Sequence, residues 1–532
     1  MRSGFSTLHR LLLCLLSSCL VCFSFPNFIA RTLTPPTAWF AWVALVPFFI
    51  ALHKTTPRQG AFLGWVFGFA QFGAILYWIA FLEAAQSLSG LAWAVLVFYL
   101  SLYFSLFGWG YRVLSEKSGW GVWIAPYLWV ALEYVRGSRP WGGFSWGEIG
   151  YSQAPYPILL TFASWAGVYG LTFLIVWFNA WLAQWIIHLF KGTHGTSAGP
   201  GPIRWAPLTI LFGVLLIVLI SGEMEMKNTP LQKAGSVVLL QPSIDQEVKW
   251  SKKNEEATYD KIQGLVRAAS GLHPSLIVWP ETAAPSYLLW NPKDLGRVES
   301  IVRKSKIPNL VGCLDAQKDK DGKTRCYNAA VQFGGEGNPE GVYHKCHLVP
   351  FGEFVPFQNY LTFLGPVVGD LGDFDFGESY VLFHVGGFSY TPLICYEVIF
   401  PGDVYQAFKT KADALVNISN DAWYGRTASP YQHAMMAVVR AAEERKPLLR
   451  AANTGISLAT DPFGNILHST RLFEGTTLYS DVLLTTAPPT LYSRWGNWFP
   501  RFCWVVVIFT CLGAFLKTRK AKGRMGSNSL GA

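Results

Sequence analysis

Charged residues are scarce in this sequence. They make up 14% of its 532 residues, whereas a soluble globular protein has about 25%. Hydrophobic residues reach 51% and are concentrated in residues 8–221 and 498–516, while residues 230–490 have an ordinary mixed composition. The apolar runs of the first region are too long and too closely spaced for a soluble core. The sequence therefore predicts a membrane-bound region joined to a polar one.

Several kinds of binding motif are also missing. The net charge of +10 would suit a nucleic-acid-binding protein, but the basic residues flank hydrophobic runs and no nucleic-acid motif is present. The sequence has no phosphate-cradling glycine motif and no metal-ligand cluster, so it predicts neither a nucleotide nor a metal cofactor. A transporter would carry paired charges within its spans, or inverted repeats. Neither is found in the sequence.

What the sequence does have is a series of long apolar stretches. A membrane-spanning helix needs about 20 mostly apolar residues, and eight stretches are interpreted as spans. The sixth is too long for one simple span, so it is expected to tilt or to contain a re-entrant piece. The predicted spans are 8–25, 37–53, 60–81, 90–112, 120–135, 158–188, 205–221 and 498–516.

Basic residues flank these spans asymmetrically. With the N-terminus in the cytoplasm, the cytoplasmic segments carry thirteen Lys or Arg residues, whereas the short outward loops between the first seven spans carry only Arg31, Arg136 and Arg139. This distribution follows the positive-inside rule. It predicts that both termini are cytoplasmic and that the polar region lies outside. Residues 1–25 could alternatively be a cleaved signal peptide, but they lack a convincing cleavage site of small residues, so we interpret them as the first span.

Two other segments combine aromatic residues with Gly and Pro. The outward loop 136–156 is interpreted as an aromatic belt at the membrane interface, and the alternative is that it forms a wall of a lipid-binding cleft. Residues 354–374 are apolar but interrupted by Pro and Gly. They form either a structured loop over the core or an arm that dips into lipid and gates a site.

Strand-like runs alternate with helical stretches in the polar region. This alternation predicts an α/β domain of about 250 residues. We therefore divide the chain into a membrane bundle of about seven helices at 1–228, an extracytoplasmic α/β domain at 229–490, and a final span with a basic tail at 491–532. Helices are predicted at 251–269 and 430–445. Strands are predicted at 236–241, 276–279, 309–312, 328–333, 341–344, 391–394, 414–418, 457–460 and 477–482.

Three residues of the α/β domain indicate chemistry. Glu281, Lys345 and Cys395 each follow a strand-like run beside Pro, Gly or aromatic residues, where loops expose functional groups. A thiol needs a base or a nearby positive charge to ionise near neutral pH. A glutamate can take the thiol proton, and a lysine can stabilise the negative oxygen of a tetrahedral intermediate. Taken singly, such residues are usually packing or surface positions, but their joint contexts predict thiol-based acyl chemistry.

The motifs around these residues resemble those of the carbon–nitrogen hydrolase, or nitrilase, superfamily. They are Trp279-Pro-Glu281, Lys345-Cys-His-Leu-Val-Pro-Phe-Gly-Glu353, Cys395-Tyr-Glu397 and Asn420-Asp-Ala-Trp-Tyr-Gly425. With the preceding spans, they make nearly the whole chain similar to the bacterial apolipoprotein N-acyltransferase family. Ser145 stands where the family's membrane loop leads us to expect proline.

The resemblance implies a role for each motif residue. Glu281 would be the general base, Lys345 the oxyanion stabiliser and Cys395 the nucleophile. Glu353 would orient the lysine. The residues that would support the pocket are Tyr396, Glu397, Asn420 and Trp423. The implied fold is an α-β-β-α sandwich set on the outer face of a helical membrane bundle.

The resemblance also implies a ping-pong reaction in the bacterial inner membrane. Cys395 would take a fatty acyl chain from the sn-1 ester of a phospholipid as a thioester. The α-amine of a diacylglyceryl-cysteine apolipoprotein would then accept that chain as an amide. No cofactor is implied, and a monomer is expected.

Two other functions remain open from the residues. A membrane-tethered amidase or nitrilase-type hydrolase would use the same triad and pass the acyl group to water, although a simple tether needs only one span. A membrane scaffold with an inactive domain is the other alternative, and the presence of all three catalytic residue types disfavours it.

The remaining cysteines suggest one possible cross-link. Cys313 and Cys326 could pair in an oxidising compartment, although their spacing does not establish the bond. Cys346 is interpreted as a packing residue. His347 is an alternative general base, but a structural role is favoured because Glu281 already supplies the base.

Overall fold

The structure is a computed structural model of the chain. It describes residues 6–82, 89–118, 121–139, 142–192, 206–249, 252–354 and 374–528. Residues 355–373, which hold most of the predicted apolar arm, lie outside these ranges, as do residues 140 and 141 of the outward loop.

The first half of the described chain is helical. Its helices and the loops between them, together with the last helix of the chain, are called the helical region. They are α1 (Thr7–Phe23), α2 (Ala41–Ala44), α3 (Val46–Leu52), α4 (Pro57–Ile75), α5 (Ser89–Ser118), α6 (Gly121–Ser138), α7 (Pro157–Leu160), α8 (Ala163–Ala166), α9 (Val168–Gly192) and α10 (Ala206–Asn228), with α17 (Trp498–Asn528) at the end of the chain.

Four helices in the described part of the chain are long and apolar enough to cross a membrane. They contain the stretches Ser89–Ser115, Val168–Phe190, Leu208–Asn228 and Trp498–Leu516. The other predicted spans correspond to shorter or interrupted helices, such as Thr7–Phe23 and Ala38–Leu52. The protein is therefore a membrane protein with a helical bundle, and in its described residues four of the eight predicted stretches are both long and apolar enough to cross the membrane.

The sixth predicted span is not one helix. Two short helices, α7 and α8, precede the long helix α9, and Gly167 separates α8 from α9 with φ of 66°. This left-handed conformation suits glycine, and a Cβ there would lie 2.8 Å from the Tyr492 ring. The stretch 158–188 was expected to be too long for one simple span, and the structure shows why: the chain turns sharply at Gly167, after two short helices and before the spanning helix begins.

Glycines allow helices α4 and α5 to pack unusually closely. Gly60, Gly64 and Gly68 repeat every four residues and so line one face of α4. A Cβ at Gly60 would lie 2.6 Å from the carbonyl oxygen of Gly108 on α5, and a Cβ at Gly64 would overlap the carbonyl of Phe104. This is the small-residue packing by which membrane helices bring their backbones together.

The described residues of the α/β region form a seven-stranded sheet and a six-stranded sheet. The first sheet has the order β13-β1-β2-β4-β5-β6, with β3 paired to β4, and the second has the order β12-β11-β10-β9-β8-β7. The strands are β1 (Leu231–Gln241), β2 (Leu276–Val278), β3 (Ala284–Tyr287), β4 (Asn309–Lys318), β5 (Thr324–Phe333), β6 (Pro339–His344), β7 (Phe383–Val385), β8 (Phe388–Ile394), β9 (Ala414–Ser419), β10 (Leu448–Ala452), β11 (Leu458–Thr460), β12 (Ile466–Ser469) and β13 (Thr476–Thr485).

Alternate residues of the first sheet enter two different cores. Val237 and Leu239 of β1 face the second sheet, whereas Val238 and Leu240 face the helices on the outer side. The remaining helices are α11 (Gln246–Lys249), α12 (Glu255–Ser270), α13 (Pro292–Ser305), α14 (Pro401–Ala407), α15 (Ser429–Glu444) and α16 (Leu491–Trp495). Helices α12 and α13 cover the first sheet and α15 covers the second, which confirms the predicted α-β-β-α sandwich.

Helix α15 is enclosed on all sides. The predicted apolar positions Met435, Val438 and Val439 are buried, but so are polar residues such as Gln432 and His433. One face of the helix lies on the second sheet, and the other contacts the helical region. This helix therefore joins the two regions.

Cys313 and Cys326 do not form a disulfide in the structure. Cys313 pairs with Ala329 in the β4–β5 ladder, and Cys326 pairs with Ala316. Cys313 and Ala316 are three residues apart on one strand, so the two thiols project from opposite faces of the sheet. The open question of a Cys313–Cys326 disulfide is thus answered for this structure: the two thiols are not bonded.

Candidate active site

Four sequence-predicted residues lie where strands end. Glu281 follows β2, Lys345 directly follows β6, Cys395 directly follows β8, and Asn420 directly follows β9. The first two strands belong to one sheet and the last two belong to the other. The candidate site is therefore built between the two sheets.

Glu281 is buried, with 7% of its surface exposed. Its Oε1 accepts a hydrogen bond of 2.8 Å from Asn328 Nδ2 and lies 3.9 Å from the ammonium nitrogen of Lys345. Its backbone carbonyl accepts a 3.0 Å hydrogen bond from Lys249 Nζ. The carboxylate is thus fixed by a neutral donor and a cation, and the backbone is fixed by a second lysine.

Lys345 is held by a pair of hydrogen bonds to one carboxylate. Its Nζ lies 2.9 Å from Oε1 and 2.8 Å from Oε2 of Glu353, and Asn328 Nδ2 donates to the same Glu353 over 2.9 Å. Burial lowers the pKa of Lys345, but the charges of Glu353 and Glu281 outweigh burial, and the net pKa is raised above its ordinary value. The side chain therefore stays an ammonium ion at neutral pH.

Cys395 occupies a constrained turn between strand β8 and a short 3₁₀ helix, Cys395–Ile399. Its φ of 52° is in the left-handed region, which is costly for a residue with a side chain. Burial raises the pKa of its thiol, the Glu281 charge raises it further, and Lys345 opposes both. The resting thiol is consequently protonated, so nucleophilic attack requires a base to remove its proton.

Glu397 connects the lysine loop, residues 345–347, to the cysteine turn, residues 394–399. It is fully buried, and its carboxylate accepts hydrogen bonds of 2.6 to 2.9 Å from both segments. Burial raises its pKa to about 7, although Lys345 and the hydrogen-bond donors lower it. The donors are the backbone N–H groups of Ile394, Cys346 and His347 and the hydroxyl of Tyr343. Glu397 thereby holds Lys345 and Cys395 in register.

The other predicted supporting residues surround this centre. Asn420 is buried, donates to Gln246 Oε1 over 2.9 Å and accepts from Asn453 Nδ2 over 2.9 Å. Tyr396 is buried, and its ring meets the Phe400 ring edge-on at 4.9 Å. Trp423 is half-buried in the short helix Asp421–Tyr424. Asn420 therefore anchors the first residue of α11 to the second sheet.

His347, the alternative base, is engaged in packing. Its Nδ1 lies 2.5 Å from an oxygen of Asp403, and its ring stacks on Phe400 at 3.9 Å. These contacts agree with the structural interpretation. Cys346 sits beside Glu397, and burial together with that charge raises the pKa of its thiol to about 12.

The outward loop of the helical region lies against the α/β region. Trp146 and Tyr151 are almost completely buried. Tyr151 donates to the carbonyl of Ile399, at the end of the cysteine turn, over 3.1 Å. The prediction of an interfacial aromatic belt is therefore wrong for these residues, because they form the boundary between the two regions.

Sequence reasoning missed three residues of the site. Asn328 bridges Glu281 and Glu353, Tyr343 binds Glu397, and Lys249 holds the Glu281 backbone. Lys249 is buried, and burial lowers its pKa to about 7 against the opposing charges of Glu281 and Cys395. A polar residue within an apolar strand was the available signal for Asn328. In the described part of the chain, no group of three or more His, Cys, Asp or Glu residues is arranged to bind a metal ion.

Comparison with known proteins covers both regions. A model of the apolipoprotein N-acyltransferase N-terminal domain matches residues 17–181, and a carbon–nitrogen hydrolase model matches residues 237–490. The apolipoprotein N-acyltransferase of Geobacter metallireducens is 35% identical over 519 residues, covering 96% of this chain and 95% of its own length. That of Brucella melitensis is 34% identical over 424 residues, covering 77% of each chain.

Among solved structures, an amidase from Nesterenkonia sp. covers 52% of this chain and 98% of its own, with 17% identity and a TM-score of 0.36. The α/β region has the carbon–nitrogen hydrolase fold, as its family model and its two facing sheets show. The full-length relatives extend this assignment across the helical region. The chain therefore belongs to the apolipoprotein N-acyltransferase family, whose members are acyltransferase enzymes.

Proposed function

We propose that the protein transfers a fatty acyl chain from the sn-1 ester of a phospholipid to the α-amine of a diacylglyceryl-cysteine apolipoprotein, through a thioester on Cys395. One observation carries the proposal. A buried network joins Glu281, Lys345 and Glu353 around Asn328, and the charges of Glu281 and Lys345 both act on the Cys395 thiol. A base, a cation and a nucleophile are thus assembled beside a membrane-bound helical region.

In the first half-reaction, the Glu281 carboxylate takes the proton of the Cys395 thiol. The thiolate attacks the ester carbonyl carbon, and the resulting oxyanion is stabilised by the Lys345 ammonium. Collapse of the intermediate breaks the ester C–O bond, and the leaving alkoxide takes the proton from Glu281. The products are a lysophospholipid and an acylated Cys395.

In the second half-reaction, the acceptor's α-amine attacks the thioester carbonyl. Glu281 takes a proton from the amine nitrogen, and Lys345 again stabilises the oxyanion. Collapse breaks the C–S bond, and the Cys395 thiolate recovers its proton from Glu281. The product is an amide, and no cofactor takes part in the proposed sequence.

Burial of the centre favours transfer over hydrolysis. Cys395 exposes 7% of its surface and Lys345 exposes 1%, which limits the access of water to the thioester. A hydrolase would use the same residues, but it would release free fatty acid.

The decisive experiment is to measure the intact mass of the purified protein after incubation with phospholipid. We expect a fatty-acyl adduct that maps to Cys395, is lost with hydroxylamine and is absent from Cys395→Ala. Adding a diacylated lipopeptide should then discharge the adduct as an amide. Wild-type protein that carries no adduct would contradict the thioester, and release of free fatty acid without amide would indicate the hydrolase.

The proposed setting is the bacterial inner membrane. Residues 1–228 would form the membrane bundle, residues 229–490 the periplasmic catalytic domain of a monomer, and residues 491–532 the last span and a cytoplasmic tail. The distribution of basic residues supports cytoplasmic termini. In intact cells with a permeable outer membrane, an impermeant maleimide should label Lys320→Cys but not Ser527→Cys. The reverse pattern would contradict this orientation.

A further inference from the structure

Gln432 attaches helix α15 to three separate segments of the helical region. Its Oε1 accepts from the indole N–H groups of Trp78, over 3.3 Å, and Trp146, over 2.7 Å. Its Nε2 donates to the carbonyls of Pro26, over 2.7 Å, and Ile75, over 3.3 Å. A side-chain amide has two donor hydrogens and two acceptor lone pairs. All four are therefore used on the helical region.

The next residue of the same helix contacts the cysteine turn. His433 is completely buried, and its Nε2 lies 3.2 Å from the backbone carbonyl oxygen of Cys395. A carbonyl oxygen can only accept, so Nε2 carries a proton and donates it. Asn417 Nδ2 donates to the same carbonyl over 3.4 Å. The carbonyl of Cys395 is thus held by two side chains of the α/β region.

Buried charges hold the His433 ring in place. Its Nδ1 lies 3.1 Å from both Asp421 Oδ1 and Arg450 NH2, and Arg450 also donates to Asp421 Oδ2 over 2.7 Å. Burial and the Arg450 charge lower the pKa of His433, against the opposing charge of Asp421. The neutral ring with its proton on Nε2 lets Nδ1 accept from Arg450 while Nε2 donates to Cys395, and Asp421 then holds the ring through Arg450.

We propose that Gln432 and His433 form a joint through which the helical region positions the Cys395 nucleophile. The inference rests on the proposed role of Cys395. His433 is a positioning residue, because it reaches the nucleophile through the backbone carbonyl. Gln432 fixes the helix that carries His433 to Trp78 and Trp146.

The physical reason lies in the backbone of Cys395. Its left-handed conformation is costly and persists only where the surroundings hold it. The orientation of its carbonyl is coupled to the direction of its side chain, so a donor at the carbonyl also fixes the sulfur relative to Glu281 and Lys345. Movement of α15 would therefore weaken the hydrogen bond from His433 to the Cys395 carbonyl.

A matched pair of substitutions tests His433. The amide nitrogen of His433→Gln can replace Nε2, whereas that of His433→Asn reaches only the Nδ1 position. We expect alkylation of Cys395 by iodoacetamide, quantified on its own peptide, to slow by about tenfold in His433→Asn and to stay near wild type in His433→Gln. The kcat for acyl transfer should follow the alkylation rate, with the KM for phospholipid unchanged. Equal alkylation rates in the two variants would overturn the role of His433.

Gln432→Met tests the attachment to the helical region. It preserves length but removes all four hydrogen bonds, and we expect it to slow Cys395 alkylation by about threefold to tenfold. The control is Arg445→Ala, just beyond the other end of α15, which removes a 3.2 Å hydrogen bond to Ser164 and an ion pair with Glu225, both in the helical region. That control should alkylate at the wild-type rate. Similar rates in Gln432→Met and Arg445→Ala would overturn the joint.

The proposed joint and the proposed acyl transfer can be tested independently of each other. Iodoacetamide needs neither a lipid nor an acceptor, so the alkylation rates test the joint even if the acyl donor or acceptor is different. Full acyl transfer by Cys395→Ala would instead contradict the proposed function. Thermal unfolding of each variant in detergent identifies any general loss of stability.

Discussion

At the scale of single residues, two carboxylates flank the Lys345 ammonium. Glu281 and Glu353 both lie within 4 Å of Lys345, and Asn328 donates to both carboxylates. An amide suits this position because it supplies hydrogen-bond donors without charge. An additional negative charge would oppose ionisation of the neighbouring thiol, whose pKa burial and Glu281 already raise.

Asn328→Asp should therefore inactivate the protein with little change in shape. The new carboxylate would face Glu281 and Glu353 where the amide now donates. We expect kcat for acyl transfer to fall by about a hundredfold or more, measured with labelled phospholipid and lipopeptide. Asn338→Asp makes the same chemical change in the exposed β5–β6 turn and should keep its activity. Equal activity in the two variants would contradict the charge argument.

Tyr343→Phe should change the pH dependence of the reaction. Tyr343 donates to both oxygens of Glu397, so its loss destabilises the ionised carboxylate and moves the Glu397 pKa above its present value of about 7. If ionised Glu397 holds the two loops together, the acidic limb of the kcat profile shifts to higher pH. Tyr327→Phe, whose ring stacks on His344, is the control and should not shift the limb.

The same group predicts the sign of a stability effect. The pKa of Glu397 is higher in the folded protein than its ordinary value of 4.5, so its contribution to stability is largest below pH 4.5. That contribution is lost as the pH rises through about 7. The loss should be larger in Tyr343→Phe, and thermal unfolding at several pH values would measure it.

At the scale of elements, the close pair of helices α4 and α5 depends on the absence of side chains. Gly64→Ala would place a methyl group against the Phe104 carbonyl, whereas a Cβ at Gly73 on the same helix would lie 3.4 Å from the Trp93 ring. We expect Gly64→Ala to destabilise the protein by roughly 1–3 kcal/mol and Gly73→Ala to have little effect. Thermal unfolding in detergent compares them. Equal unfolding temperatures would contradict the close packing.

The sequence predicted elements whose local pattern agrees with their environment. Helix α15 has apolar residues at helical spacing, and the strands before Glu281 and Cys395 are buried apolar runs with clear ends. Strand β10 was not predicted, because Leu448-Leu-Arg-Ala-Ala452 consists of helix-forming residues. It is a strand because it pairs with β9 and β11, and Arg450 inside it binds Asp421.

The residues of the candidate site likewise divide into those that the local sequence indicates and those that only the folded structure brings in. Glu281, Lys345 and Cys395 stand in distinctive contexts at strand ends, so the sequence predicts them as site residues, and the structure brings them together. Asn328 lies within a strand, and its role depends on two carboxylates distant in the sequence. Pairings of this kind arise only from tertiary structure, as does the contact of His433 with Cys395.

At the scale of the whole molecule, buried polar groups connect the two regions. Arg440 pairs with Glu443 at 2.9 Å and donates to Tyr151 over 3.0 Å, while Glu443 accepts from the backbone N–H of Val168 over 2.7 Å. Both side chains of the ion pair are completely buried. Such a pair stabilises little by itself, but the loss of one partner leaves an uncompensated charge.

Arg440→Met should therefore be strongly destabilising, by about 3–5 kcal/mol. Arg440→Met combined with Glu443→Leu removes both charges and should recover part of that loss. The comparison of unfolding temperatures in detergent forms a double-mutant cycle. Additive effects of the two substitutions would show that the buried pair is not coupled.

The enclosure of helix α15 also constrains the order in which the protein can be made. Its docking partners in the helical region are synthesised and inserted long before Ser429–Glu444 leaves the ribosome. Until then, the indole N–H groups of Trp78 and Trp146 cannot donate to Gln432, and the Cys395 carbonyl cannot accept from His433. If the proposed joint positions Cys395, the nascent chain is expected to be inactive until α15 has docked. On that proposal, the Cys395 thiol becomes reactive only once Gln432 and His433 have made their contacts.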